Sequence, residues 1–301
     1  MSFTLDIYTR HFGLSERPFT LVPNPEFLYW SPAHARAAAV LEYGIVTRSP
    51  ITLITGEIGS GKTTLVRHLL RGEDAQVTIG LISNARTGGG ETLLNWVLSA
   101  LDQEVAPGAS HMALYRQFEA FLLKEYAEGR RVVLIFDEAQ NLDRGALEDI
   151  RMLTNINSDE DELLQLVLVG QPELRDMVMR PDMVQLAQRI AASFFLPALP
   201  ERDIAGYIAH RLRIAGAERQ IFEDDSIPLV QDVTGGVPRL INQLCDFALL
   251  YAFESGAPTV SRATVQQVLD DGVFFPGGKS VALRLVHQAG EARARGATDA
   301  E

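Results

Sequence analysis

The chain has 301 residues, of which 47% are hydrophobic and 22% are charged, and its formal net charge is −12. This composition is typical of a globular protein, the length favours two domains, and the negative charge argues against broad, non-specific coating of nucleic acid. No apolar run reaches the ~18 residues needed to span a bilayer, and Met1–Arg10 lacks a secretory signal, so we expect a cytoplasmic protein, with peripheral attachment at the inner membrane as an alternative.

The first fifty residues are rich in aromatic residues and proline. We interpret residues 1–50 as an extended segment followed by a helix that begins at Ser31-Pro32 and runs through Val46. Both parts are expected to pack on the domain that follows. The aromatic residues are interpreted as packing residues.

Five short aliphatic segments follow, with the little alternation that is typical of strands buried on both faces. They are Ile51–Thr55, Val77–Ser83, Val132–Phe136, Leu166–Val169 and Phe194–Leu196. Helical patterns lie between them, at Lys62–Leu70, Glu91–Leu101, His111–Ala127, Arg144–Asn155 and Pro172–Arg189. This alternation predicts an α/β domain over residues 51–199, with a five-stranded parallel sheet and helices on both faces.

After Pro200 only helical patterns remain, so residues 200–272 are predicted to form a small helical lid domain. Its helices are expected at Glu201–Ala215, Asp225–Thr234, Pro238–Phe253 and Ser261–Asp271. The single cysteine, Cys245, lies in an apolar stretch and is interpreted as a core residue. Residues 273–301 are expected to be a flexible tail with a short helix at Ser280–Ala289.

A complete phosphate-loop motif, G-x-x-x-x-G-K-[ST], lies between the first strand and the first helix of the sheet domain. Its residues are Gly56, Glu57, Ile58, Gly59, Ser60, Gly61, Lys62 and Thr63. The glycines let the backbone curl around a phosphate, Lys62 can reach the β- and γ-phosphates, and the Thr63 hydroxyl can ligate Mg²⁺. The sequence therefore predicts a site for ATP and Mg²⁺ that extends to Thr64. No Asn-Lys-x-Asp guanine signature occurs in the chain, which disfavours GTP.

Two carboxylates, Asp137 and Glu138, end the hydrophobic segment that begins at Val132. Asp137 is predicted to bind Mg²⁺ through water, and Glu138 to orient and deprotonate the attacking water. The later strand, Leu166–Val169, is followed by Gly170 and Gln171. If this strand is inserted between the first and third strands, Gln171 would lie at the γ-phosphate and help to position water.

The order of several motifs resembles that of the ExeA/GspA-type ATPases (general secretion pathway protein A), from about Tyr8 to Asp271. The motifs are Tyr8-x-x-His11-Phe12-Gly13-Leu14, Pro18-Phe19, Pro23-Asn24-Pro25, Phe27-Leu28-Tyr29, Asp137-Glu138-Ala139-Gln140-Asn141-Leu142, Gly170-Gln171-Pro172-Glu173-Leu174 and Gly235-Gly236-Val237-Pro238-Arg239. This family belongs to the AAA+ class of P-loop ATPases. Its secretion-type members typically continue into a transmembrane helix and a periplasmic domain, so the shorter, export- or polysaccharide-associated relatives are the nearer likeness.

The resemblance implies roles for three further residues. Gln171 falls at the sensor-1 position, and Arg239 falls at the sensor-2 position, which contacts the γ-phosphate of its own subunit. Arg189 falls where an arginine finger acts on ATP in a neighbouring subunit. A homo-oligomer is therefore expected when ATP is bound.

Three functions stay open on these grounds. The first is an ATPase that drives or licenses assembly of an envelope secretion or exopolysaccharide export machine, with a partner in the inner membrane or export system. The second, suggested by a more distant likeness to TniB/TnsC-type proteins, is a DNA-binding ATPase that regulates transposition. Its support is a basic stretch made by Arg202, His210, Arg211, Arg213 and Arg219, which a solvated helix face explains equally well. The third is a nucleotide-dependent scaffold with little turnover.

Overall fold

A computed structural model describes residues 8–69, 76–83, 92–158 and 161–276. By their contacts, these residues form two units. We call Pro32–Ile58 with Lys62–Pro197 the sheet unit, and the residues up to Ser31, Gly59–Gly61 and the residues from Ala198 onward the helical unit. Across the described ranges, no helix has the length and apolar character needed to cross a membrane.

A five-stranded, all-parallel sheet forms the centre of the sheet unit and confirms the predicted fold class. Its strands are β1 (Ile51–Gly56), β2 (Val77–Ser83), β3 (Arg131–Asp137), β4 (Leu164–Gly170) and β5 (Ile190–Leu196). The order across the sheet is β2-β3-β4-β1-β5. Every residue of β1 and β4 is buried, including the polar Thr52, Thr55 and Gln165, whereas the edge strand β5 alternates in exposure until its last residue.

The insertion of β4 between β3 and β1 places three strand ends together. Ile54 pairs with Val169, and Phe136 pairs with Leu168, so the carboxyl ends of these strands lie side by side. The residues that follow them are therefore neighbours in space, although they are distant in sequence. Gln171, whose position depended on this insertion, is one of them.

Helices surround the sheet. They are α2 (Pro32–Val46), α3 (Lys62–Leu69), α4 (Leu93–Ala100), α5 (His111–Ala127), α6 (Arg144–Leu153), α7 (Pro172–Val178) and α8 (Val184–Ala187), and they follow the short α1 (Thr9–Phe12) of the helical unit. Between α6 and β4, Asn157–Ser158 and Asp161–Glu162 pair as a two-residue antiparallel ladder. The apolar faces of α4, α5 and α6 bury leucine, valine, isoleucine and phenylalanine side chains in one core with β3 and β4.

The predicted single helix Pro172–Arg189 is wrong. The chain forms α7, a 3₁₀ turn at Pro181–Met183 and then α8. The cause is Pro181, which has no N–H to continue the helical ladder and restricts the residue before it. Arg180 is accordingly extended, with φ −65° and ψ 147°. β5 also begins earlier than predicted, at Ile190.

Within the described residues of the helical unit, the longer helices are α9 (Glu201–Ile214), α10 (Ile227–Thr234), α11 (Pro238–Glu254) and α12 (Arg262–Asp270). A 3₁₀ turn at Asp224–Ser226 precedes α10, where a helical start had been predicted. Cys245 is fully buried among the apolar residues of this unit, and burial raises the pKa of its thiol well above the usual value. This environment is that of a packing residue.

The aromatic N-terminal segment packs in a different place from the one we expected. Tyr8, Phe12, Leu14, Phe19 and Phe27 are buried in the core of the helical unit, not on the sheet domain. Only the following helix, α2, belongs to the sheet unit, where it lies against β5 and β1. The physical reason is that the amphipathic helices of the helical unit leave apolar surface that these rings cover. The segment is also partly helical, with α1 and a 3₁₀ turn at Pro25–Phe27.

Two further predictions lie outside the described residues. One is the helix expected at Ser280–Ala289. The other is the flexible tail expected at 273–301, of which only residues 273–276 are described.

Candidate functional site

The phosphate-loop motif begins at the carboxyl end of β1 and ends in the first turn of α3. Gly59 and Gly61 have φ values of 79° and 100°, which L-residues with a side chain rarely adopt. Glu57 and Ile58 are exposed, whereas Ser60 is fully buried. The loop therefore has the tight, glycine-dependent curvature that close approach to a phosphate requires.

Lys62 lies at the start of α3 and is 6% exposed. Its Nζ donates hydrogen bonds to the Gly56 carbonyl at 2.8 Å and to the Glu57 carbonyl at 2.9 Å. Burial lowers the pKa of Lys62, against the opposing influence of Glu138 and Asp137 nearby. The ammonium group is thus held over the loop, in a place where a negatively charged ligand would relieve the cost of its burial.

Thr63 and Asp137 meet across the site. The Thr63 hydroxyl donates to Asp137 Oδ2 at 2.8 Å, which leaves the lone pairs of the hydroxyl oxygen available. Asp137 ends β3 and is 7% exposed; burial raises the pKa of its carboxyl group, and the hydrogen bond from Thr63 opposes that effect. A hydroxyl and a carboxylate at this separation form the kind of oxygen set that Mg²⁺ prefers, so the residues fit the predicted metal.

Glu138 follows β3 in a left-handed conformation, with φ 56° and ψ 38°. Its N–H donates to Asp137 Oδ1 at 3.0 Å. Left-handed backbone costs a non-glycine residue roughly 1–2 kcal/mol, and such strain concentrates at functional sites. The turn directs the Glu138 side chain toward the end of β4.

Two amide side chains hold the carboxylate of Glu138. Gln171 Nε2 donates to Glu138 Oε2 at 3.2 Å, which brings the predicted sensor-1 residue to the predicted base. Gln140 Nε2 donates to the same oxygen at 2.6 Å. Gln140 stands in the Asp137-Glu138-Ala139-Gln140 motif, but no role was predicted for it. The available signal was its spacing, two residues after an acidic residue in a turn.

Arg239 is placed in the first turn of α11, in the helical unit. In that unit its N–H donates to the Gly59 carbonyl at 3.2 Å. A Cβ added to Gly59 would lie 2.5 Å from the Cβ of Arg239, so this approach requires glycine at position 59. Arg239 itself is exposed.

Arg189 does not end a helix, contrary to the sequence prediction. It lies in the turn after α8, directly before β5, and its Nη2 donates to Asn155 Oδ1 at 2.6 Å. Ile190, the next residue, pairs with Ile51 at the start of β1. β1 spans six residues at about 3.3 Å each, and the phosphate loop follows its carboxyl end. Arg189 therefore lies roughly 20 Å from that loop, at the amino-terminal ends of the strands. The structure does not bring it to the other site residues of its own chain.

The basic stretch that supported the DNA-binding alternative does not form one exposed face. Arg211 is 7% exposed, its Nε donates to the Pro18 carbonyl at 2.7 Å, and its guanidinium lies 4.8 Å from the centre of the Phe27 ring. Its alkyl stem and charge are therefore committed to the interior of the helical unit. Arg202, Arg213 and Arg219 remain exposed.

Comparison with known proteins identifies the type of domain. A family described as an AAA domain matches residues 46–178. General secretion pathway protein A from Aeromonas hydrophila is 41% identical over 278 residues. That alignment covers 90% of this chain but 51% of the relative, so the chain spans about half the length of the relative it matches.

Solved structures with a similar fold extend the comparison. Cdc6p from Pyrobaculum aerophilum aligns with a TM-score of 0.65 and 16% identity, covering 86% of this chain and 73% of that chain. The Aeropyrum pernix ORC2 protein, solved as ADPNP–ADP complexes, aligns with a TM-score of 0.61 and 19% identity, covering 83% and 72%. At these identities the likeness establishes the fold.

Proposed function

The chain is a member of the AAA group of P-loop proteins related to general secretion pathway protein A, and on this premise we propose that it binds and hydrolyses Mg-ATP. The observation that carries the proposal is the convergence of five side chains at one edge of the sheet. They are Lys62, Thr63, Asp137, Glu138 and Gln171. Phosphate binding, metal binding and water activation require this combination of groups.

In the proposal, the Gly56–Thr64 segment holds the triphosphate. The curved backbone accepts the anion, and the buried ammonium of Lys62 neutralises part of its charge. Thr63 and Asp137 would hold Mg²⁺, which supplies positive charge that stabilises the phosphate oxygens as the bond to the leaving group lengthens. Thr63 would act through its hydroxyl oxygen, and Asp137 through water.

Glu138 is the proposed general base. Its carboxylate would accept a proton from the attacking water, while Gln171 would help to hold that water in line. The existing hydrogen bond between Gln171 and Glu138 supports a joint role for these two side chains.

Two arginines are proposed to complete the site. Arg239, in the helical unit, is the proposed sensor of the γ-phosphate in its own chain, and its contact with Gly59 supports that role. Arg189 is the proposed finger for a second copy of the chain. Its place at the far edge of the sheet favours action in another subunit over action in its own, and it implies a homo-oligomer with ATP at the interface.

We further propose that the energy of hydrolysis drives or licenses assembly of an envelope secretion or exopolysaccharide export machine. The name of the relative, general secretion pathway protein A, supports a role in secretion. A cytoplasmic protein that attaches peripherally to an inner-membrane partner would meet this role. Regulation of transposition on DNA is the weaker alternative, because Arg211, one of the five residues of its basic stretch, is buried.

A direct test is phosphate release with ATP and Mg²⁺. We expect Glu138→Gln to bind ATP and lose hydrolysis, and Lys62→Ala to lose nucleotide affinity in a titration. Gln266→Met, which removes an amide–carboxylate hydrogen bond on α12, serves as a matched control with unchanged activity. Undiminished hydrolysis by Glu138→Gln would remove Glu138 from the mechanism, and a wild-type chain that binds ATP without turnover would favour the scaffold alternative.

The trans role of Arg189 has its own experiment. Arg189→Ala and Lys62→Ala are each expected to be inactive alone, and mixing them should restore part of the activity. Absence of complementation would assign Arg189 a structural role through Asn155.

A further inference from the structure

We infer that Gln140 is a positioning residue for hydrolysis, which locks the carboxylate of Glu138 to the backbone at the end of β4. The inference rests on the proposed ATPase function and extends it to a residue for which the sequence predicted no role. Its basis is a pair of hydrogen bonds made by one amide group. Gln140 Nε2 donates to Glu138 Oε2 at 2.6 Å, and Gln140 Oε1 accepts from the backbone N–H of Gln171 at 3.0 Å.

The two partners determine which way the amide of Gln140 is turned. An ionised carboxylate only accepts hydrogen bonds, and a backbone N–H only donates one. A flipped amide would therefore set oxygen against oxygen at Glu138 and nitrogen against nitrogen at Gln171. Only the observed orientation satisfies both partners, so glutamine at this position is matched to its two neighbours at once.

The end of β4 leaves room for this contact. Gly170 has no Cβ, and an added Cβ would lie 2.9 Å from Gln140 Oε1 and 2.7 Å from Leu174 Cδ2. Gly170 therefore allows the Gln140 amide to reach the Gln171 N–H. The result is a closed arrangement in which Glu138, Gln140 and Gln171 each contact the other two.

This arrangement has a consequence for the reaction. Both amide donors end on Oε2 of Glu138, which restrains its position, and among the described residues no hydrogen bond competes with water for Oε1. Gln140 also fixes the start of α7, from which the Gln171 side chain extends to the same carboxylate. Glu138, the proposed base, and Gln171, which would position the water, are thereby held as one group. Because their side chains are already ordered, less conformational entropy is lost when the reaction geometry forms.

The experiment compares kcat and KM for two Gln140 variants. Gln140→Met keeps the size of the side chain and removes both hydrogen bonds, and Gln140→Glu keeps the acceptor for Gln171 but sets a carboxylate against Glu138. A general base contributes roughly 10²- to 10⁴-fold, and loss of its positioning should forfeit part of this, about 10- to 100-fold in kcat. KM for ATP should change by less than about three-fold, because the loop and Lys62 are untouched.

A double-variant cycle separates positioning from general damage. Glu138→Gln is expected to abolish steady-state turnover, so the comparison in this background uses the slow residual rate measured in single-turnover reactions. Gln140→Met should lower that residual rate little further, because its effect passes through Glu138. Gln266→Met, which removes an amide–carboxylate bond of 2.8 Å on α12, should retain the wild-type rate. Thermal unfolding shows whether each variant folds. If Gln140→Met does not fold, Gln140→Glu replaces it in the comparison.

The possible results are distinguishable. If the wild-type chain and Gln266→Met hydrolyse ATP, Glu138→Gln does not, and Gln140→Met equals the wild type, the inference is overturned and the proposed function stands. An equal loss from Gln140→Met with and without Glu138 would assign it a structural role instead. If the wild-type chain shows no hydrolysis, both the proposed function and the inference fail.

Discussion

Replacing Arg211 by alanine should destabilise the helical unit rather than weaken contact with an external ligand. The change would remove the hydrogen bond from Arg211 Nε to the Pro18 carbonyl, at 2.7 Å, and the contact of the guanidinium with the Phe27 ring, 4.8 Å from its centre. It would also remove a longer hydrogen bond from Arg211 Nη1 to the Tyr207 hydroxyl, at 3.3 Å. A hydrogen bond from a charged donor contributes roughly 1.5–3 kcal/mol, and a desolvated cation–π contact about 1–2 kcal/mol. Arg211→Ala should therefore lower the free energy of unfolding by about 3 kcal/mol.

The measurement can be confined to the helical unit. Trp30 lies in that unit and Trp96 lies in the sheet unit, and these are the two tryptophans of the chain. A Trp96→Phe background leaves Trp30 as the fluorescent reporter in urea or guanidinium titrations. Arg213, two residues further along α9, is exposed, so Arg213→Ala is a matched control with an expected change within about 0.5 kcal/mol.

One outcome would refute this reasoning about Arg211. If Arg211→Ala unfolded at the same denaturant concentration as Arg213→Ala, the buried hydrogen bond and ring contact would contribute nothing measurable. If Arg211→Ala also reduced salt-dependent DNA binding while leaving stability unchanged, Arg211 would belong to a DNA-binding surface, as the transposition alternative requires.

Three further predictions concern charge and space near the strands and the phosphate loop. Burial lowers the pKa of the Lys62 ammonium group, so the unfolded chain binds this proton more tightly than the folded chain. The free energy of unfolding should therefore rise with pH between the folded pKa and about 10.4, the pKa of a free lysine. Lys62→Met should remove this part of the rise, measured by denaturant titrations at several pH values. Hydrogen bonds from Arg130 lower the pKa of the Glu125 carboxyl group. The contribution of Glu125 to stability is therefore complete above about pH 4.3 and is lost as the pH falls through the pKa of Glu125 in the folded chain. Glu125→Gln should flatten this part of an acid unfolding curve followed by fluorescence. Gly59 has φ 79°, and an added Cβ would lie 2.5 Å from the Cβ of Arg239. Gly59→Ala should therefore lower the affinity for ATP and reduce the free energy of unfolding by roughly 1–3 kcal/mol. An affinity equal to that of the wild type in a nucleotide titration would contradict this prediction.

The fold of the sheet unit could be predicted from the sequence because its strands are short, aliphatic and separated by helical patterns. The mostly aliphatic runs at β1 and β4 are buried on both faces, as such runs indicate. The prediction failed where one residue overrides a periodic pattern. Pro181 ends the helical path between α7 and α8, and Arg189 lies in the separate turn between α8 and β5.

The place of the N-terminal aromatic segment could not be read from its own residues. Phe12, Phe19 and Phe27 indicate burial, but composition does not say against which surface a ring packs. The answer depends on apolar positions of α9 to α11 that lie about two hundred residues further along the chain. Arg211 illustrates the same limit. The basic residues around it indicate an exposed helix face, yet its side chain is buried against the Phe27 ring and the Pro18 carbonyl.

The phosphate loop and the amide network around Glu138 differ in how they are encoded. In the loop, Lys62 and the glycines act within a few residues of one another, so their spacing alone predicts the geometry. The amide of Gln140 is useful only because β4 is inserted beside β3, which brings Gln171 from another strand end to the same carboxylate. A local motif can therefore predict a phosphate site, whereas the proposed control of water at Glu138 depends on strand order. Changes at Gln140 should consequently alter turnover while leaving nucleotide affinity close to that of the wild type.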